Sequence, residues 1–115
     1  MSESTNRKPV LETLSDVVTD AHARIQKDFS YINPVVGLTQ KLRDIGIPAD
    51  TMTIDCLRTN HRIIIVLHDE QPGVLSYQFT RRDCDPALEF MVLPIAELSS
   101  DVIYGWIASS FSKKN

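Results

Sequence analysis

A chain of 115 residues, 43% apolar and 23% charged, has the size and composition of one soluble globular domain. Its net charge of −3 excludes the global basic surplus of most nucleic-acid-binding proteins, so any anion site must be a local patch. No run approaches the ~18 apolar residues of a membrane span, and the polar start, MSESTNRKP, lacks the apolar core of a secretory signal.

Cys56 and Cys84 read as reduced thiols, because cytosolic disulfides are rare. That fits the cytoplasm, which the polar start makes the expected location. Residues 1–8 are short, polar and terminal and read as a disordered tail; 9–112 read as one domain and 113–115 as a second tail.

Pro9 suits the first turn of a helix, where its missing N–H is not needed. Leu11, Leu14, Val18, Ala21 and Ile25 then recur at helical spacing and form one apolar stripe. Asp16, Asp20, Arg24 and Lys27 fall mostly on the other side. The stripe either packs on its own domain or forms a dimer or partner face, and two heptads alone do not decide between them.

In YINPVV the residue before proline resists helical geometry, and Asn33 is a good N-cap. A second helix is therefore expected from Pro34, with Val35, Leu38, Leu42 and Ile45 on its buried face. DIGIP ends it: Gly46 is the left-handed cap, Ile47 its apolar follower, and Pro48 lies beyond.

Four strands are expected next. TMTIDCLR alternates, with Met52, Ile54 and Cys56 on one face and Thr51, Thr53 and Asp55 on the other. RIIIVLH is apolar on both faces and suits the sheet interior. VLSYQFT places Leu75, Tyr77 and Phe79 together, and LEFMVL places Leu88, Phe90 and Val92 together. Hairpin-length connections make these strands antiparallel. A last helix is capped by Ser99 or Ser100 and buries Ile103, Trp106, Ile107 and Phe111. Lys113 and Lys114 stand where a helix C-terminus favours cations. Gly105 inside this helix either permits close packing or only weakens it.

The expected fold is α+β, in the order α-α-β-β-β-β-α, with a four-stranded antiparallel meander and helices on one face. The first and fourth strands are its edges. LEFMVL is rather apolar for a free edge, and with the helix-one stripe it points to a homodimer.

In a meander the first and third connections share one end of the sheet. RTNHR and TRRDCD therefore meet there, bringing Arg58, His61, Arg62, Arg81 and Arg82 together as candidate anion-binding residues. Asp83 and Asp85 dilute that end. Asp50, Asp69, Glu70 and Glu97 collect at the other.

Chemistry is sparse. Cys56, His61, His68 and Cys84 follow one another at gaps of five, seven and sixteen residues, which is not zinc-ligand spacing. His61 and His68 stand roughly 23 Å apart along one strand. His68-Asp69-Glu70 could do acid–base work only in a cleft, and a turn is normally exposed. No nucleophile elbow, phosphate loop or HExxH is present. No metal, cofactor or catalytic residue is expected, and nucleic acid and membrane are not expected partners.

The expected function is a small non-enzymatic adaptor or regulator that binds a protein partner or itself, with an acidic segment at the basic sheet end. The alternative is a small-anion or nucleotide-binding protein or enzyme that uses the same arginines. By fold-level analogy alone, without a motif, a small acidic chain with a bare sheet is also similar to bacterial secretion chaperones.

Overall fold

The computed structural model of the chain describes residues 4–85 and 89–112. Its elements in order are α1 (Ser4–Asp28), β1 (Val35–Thr39), α2 (Lys41–Asp44), β2 (Ala49–Cys56), β3 (His61–His68), β4 (Val74–Arg81), β5 (Met91–Pro94), a 3-10 turn (Ile95–Glu97) and α3 (Ser100–Phe111). The fold is α+β, with one five-stranded antiparallel sheet in the order β1-β2-β3-β4-β5. Among the described residues no helix is long and apolar enough to cross a membrane.

The main departure from expectation lies at residues 34–45. The expected second helix is a strand, β1, followed by the single turn α2. The reason is local. Val35 and Val36 are β-branched and stiff in a helix, and Gly37 would cost a helix interior about 1 kcal/mol relative to alanine. Pairing with β2, from Val35 opposite Asp55 to Thr39 opposite Thr51, satisfies the backbone instead. The expected first strand is thus interior, and β1 and β5 are the edges.

Gly46 does end α2 in the left-handed region, at φ 93°. The Gly46 N–H donates to the Arg43 carbonyl and the Ile47 N–H to the Leu42 carbonyl, the paired bonds of a glycine helix stop. At the N-terminus, α1 begins at Ser4, ahead of the first turn expected at Pro9 and inside the expected tail. Leu88 of the expected fourth strand, residues 1–3 of the first tail, and Lys113 and Lys114 of the second lie outside the described residues.

Alternation along the strands sets two faces. Ile54 lies opposite Ile63, Met52 opposite Ile65, and Ile65 opposite Tyr77. These side chains point toward the helices. Ile54, Ile63, Ile65 and Leu75 have no exposed surface, and Leu14, Ala21, Ile25, Ile103, Ile107 and Phe111 meet them from above. The stripe on α1 is therefore spent inside the chain. Leu14, Val18, Ala21 and Ile25 are core residues and Leu11 packs beside them, so the dimer or partner face expected there is covered by the chain's own sheet and by α3.

α1 and α3 lie side by side and point the same way: Arg24 bonds Asp101 at 2.7 Å, and the Tyr104 hydroxyl donates to Asp28 at 2.6 Å. Ser99 caps α3 by accepting from the Val102 N–H. Trp106 stacks on Tyr77 with ring centroids 4.2 Å apart. Gly105 is exposed with open space beside it, so it serves no close approach. On β5, Met91 and Leu93 face the helix side opposite Tyr77 and Leu75, while Val92 points to the open face.

Two predictions follow from this packing. Ile65→Ala empties a fully buried site and should cost about 2–5 kcal/mol in urea denaturation, whereas the half-exposed Leu38→Ala should cost under about 1 kcal/mol. The Tyr104 phenol is held above its ordinary pKa, chiefly by its hydrogen bond to Asp28. Its contribution to stability is complete below the unfolded-state pKa and is lost as pH rises through the folded one. An absorbance titration of wild type against Tyr104→Phe should show this late phenol, and Asp28→Asn should bring it earlier.

Candidate functional site

The expected arginine end forms as the meander requires. The β2–β3 turn and the β4–β5 connection meet, with the Arg82 N–H donating to the Asn60 carbonyl at 3.0 Å and Arg82 Nη1 to Asn60 Oδ1 at 3.2 Å. The side chains then divide between the two faces. Arg62 and Arg82 turn to the open face, where Asp55 waits on β2. Arg62 grips Asp55 with two bonds, of 2.8 and 2.9 Å, and Arg82 stands 3.6 Å from the same carboxylate. The hydrogen bond to Asp55 is the main reason the Arg62 guanidinium is held above its ordinary pKa.

Arg58 goes to the helix side. Its Nη2 donates to the Phe111 carbonyl at 2.7 Å, and its guanidinium lies 5.0 Å above the Tyr31 ring. It therefore caps the C-terminal end of α3, where the helix dipole concentrates negative charge. Arg81 lies 3.4 Å from Asp83, with both side chains at least half exposed. His61 Nδ1 is 2.8 Å from Thr59 Oγ1. A shallow hollow of about 210 Å³ remains between His61, Arg62, Phe79, Thr80, Arg81 and Ser110.

At the opposite end the expected acidic cluster is organised by Arg43, a residue that the helical reading of 34–45 gave no role. Its Nε donates to the buried Asp50 at 2.7 Å, and its Nη atoms donate to Asp69 at 2.8 and 2.9 Å. These bonds, to Asp69 first and Asp50 second, keep the guanidinium far above its ordinary pKa. Asp69 of the His68-Asp69-Glu70 run is thereby a structural partner of Arg43, and the Glu70 N–H donates back to His68 Nδ1 at 3.2 Å. Among the described residues no group of three or more His, Cys, Asp or Glu side chains is placed to hold a metal ion. Cys56 is buried on the helix side and Cys84 is exposed; both are free thiols.

A larger hollow than the one at the arginine end lies elsewhere. β1 is an edge strand of sequence VVGLT, without a charge or a proline. Val36 and Leu38 point to the helix side but are 41% and 51% exposed. Between helix and edge runs an open groove of about 400 Å³, lined by Ser15, Val18, Thr19 and His22 from α1, Val36 and Leu38 from β1, and Met52 from β2. His22 Nε2 donates to the Pro34 carbonyl at 2.9 Å and fixes the helix to the entry of the strand. Sequence reasoning missed this groove because it placed 34–45 in a helix; the Val-Val-Gly triplet was the signal that could have found it.

Comparison of the chain with known families, with curated proteins and with solved structures found no match. The analogy to secretion chaperones thus rests on no matched structure.

The two ion pairs at the basic end should differ in weight. Arg62→Ala leaves the largely buried Asp55 with only the more distant Arg82, and should cost about 2–3 kcal/mol by thermal or urea unfolding. Arg81→Ala breaks an exposed pair and should stay within about 0.5 kcal/mol of wild type.

Proposed function

We propose that this chain is a small non-enzymatic interaction module of the cytoplasm that takes up an extended segment of a partner protein beside β1. The observation that carries this reading is the edge itself, uncovered among the described residues. A free edge presents a row of outward N–H and C=O groups that template another strand, and natural edges are usually blunted by charge, proline or a bulge. VVGLT has no charge or proline, and its helix-side residues open onto the groove. Strand addition would take affinity from the backbone bonds and selectivity from the alternate side chains that enter the groove.

The arginine end supports a structural rather than a recognition role. Its guanidiniums hold Asp55 and the end of α3, and Arg81 stands beside Asp83. The alternative, a small anion or nucleotide bound by Arg81 and His61, would use the shallow hollow beside them, which is open rather than enclosing.

One experiment separates the two. In an NMR titration with a short peptide alternating serine with leucine and valine, the amides of residues 35–39 and of Ser15, Thr19 and His22 should shift. Leu38→Asp should abolish those shifts while leaving the fold intact. Inorganic phosphate and nucleotides should leave the spectrum unchanged; shifts confined to His61, Thr80 and Arg81 with these anions, and none with peptide, would replace this reading with the ligand-binding one.

A further inference from the structure

The groove has a chemistry that narrows its occupant. Its floor is apolar, made by Val36, Leu38 and Met52, and its α1 wall is mostly polar, with Ser15, Thr19 and His22 beside Val18. One step around the helix from that wall stand Glu12 and Asp16. Glu12 lies three residues before Ser15, and Asp16 lies three before Thr19, so each neighbours a wall residue on the helix surface. Both are exposed. α1 runs antiparallel to β1, since His22 meets Pro34 at the start of the strand and Ser15 lies toward its end. Glu12, on the same helical stripe as Thr19, therefore rims the groove at its Leu38 end, and Asp16 stands one step further round toward solvent. Among the described residues, Lys41 is the exposed cation of α2 at that end.

We propose that the occupant of the β1 edge is a basic, alternately apolar segment of another protein. This rests on the reading of β1 as a docking edge and adds the chemistry of what docks. Two apolar side chains two positions apart would lie beside Val36 and Leu38 on the helix side of an added strand. The next same-face position would carry Lys or Arg, long enough to reach Glu12 or Asp16 around the rim. The net charge of −3 attracts such a segment from a distance and raises its association rate.

A second copy of this chain fits less well. Stable protein interfaces use about 20–30 residues a side. β1 offers five residues, and the groove wall beside it adds four side chains, three of them polar. Each copy also carries the same net negative charge.

The test uses the full chain and three end-capped peptides. The first is Ser-Lys-Ser-Leu-Ser-Val-Ser-Lys-Ser, and in the other two both lysines become glutamine or glutamate. Fluorescence anisotropy gives affinities, and NMR shifts at residues 35–39 give location. The expected order is lysine over glutamine over glutamate, with roughly a threefold to tenfold gap between the first two, the range of a pair of exposed ion pairs. That gap should close in high salt and in the Glu12→Gln/Asp16→Gln variant, while the glutamine peptide binds that variant as it binds wild type. Equal or tighter binding of the glutamine or glutamate peptide at β1 would overturn the charge assignment and leave the docking edge standing. No binding of any peptide at residues 35–39 would overturn both. Concentration-dependent dimerisation in sedimentation, abolished by Leu38→Asp, would assign the edge to a second copy instead.

Discussion

Ile63 and Ile65 stand at the middle of β3 with no exposed surface, and the remaining architecture is arranged to keep them so. Each lies between a residue of β2 and one of β4 on the helix side, under the stripes of α1 and α3. Burial of apolar side chains at roughly 25 cal/mol per Å² is the dominant favourable term in a domain of this size. It is concentrated on the three central strands. The helices cover that centre completely and the margins only in part, so Val36, Leu38, Phe79 and Met91 remain exposed on the same face. The groove is a consequence of this economy: two helices are set where burial is greatest, and the edge strand β1 is left over.

The charges follow the helices. α1 and α3 point the same way, so both C-termini face the end of the sheet that holds Arg58, Arg62, Arg81 and Arg82. The N-terminus of α3 faces the end that holds Asp50, Asp69 and Glu97, with Asp101 in its first turn. Cations at helix C-termini and anions at N-termini are each favoured by the aligned peptide dipoles. The polarity of charge across this sheet, which in isolation suggests a binding surface, thus also complements the helices above it. Arg62 and Arg43 complete the arrangement by pairing the two little-exposed carboxylates of β2, Asp55 on the open face and Asp50 at the acidic end.

Much of this was legible in the sequence. The alternation in TMTIDC, the doubly apolar run in RIIIVLH, the stripe on α1 and the glycine stop at Gly46 each depend on neighbours a few residues away. The periods of two and 3.6 expose them directly. The meander was legible for the same reason, since hairpin-length connections admit only antiparallel neighbours. That the arginine loops share one end follows from counting strands.

The tertiary structure alone decided the rest. VVGLT is five residues long and fits either a weak helix or a short strand by local preference; the backbone of β2, a dozen or more residues away, made it a strand. Whether the α1 stripe faced inward or outward was equally undetermined, because a heptad pattern does not say what covers it. The partner of each arginine was undetermined too: Arg62 met Asp55 across a hairpin, Arg58 met a carbonyl at the far end of the chain, and Arg43 met Asp69 across the sheet end. The physical reason is the same in all three cases. Local sequence fixes dihedral preference and periodicity, whereas burial and ion pairing depend on which distant surfaces arrive, and that is set by the packing of the whole chain.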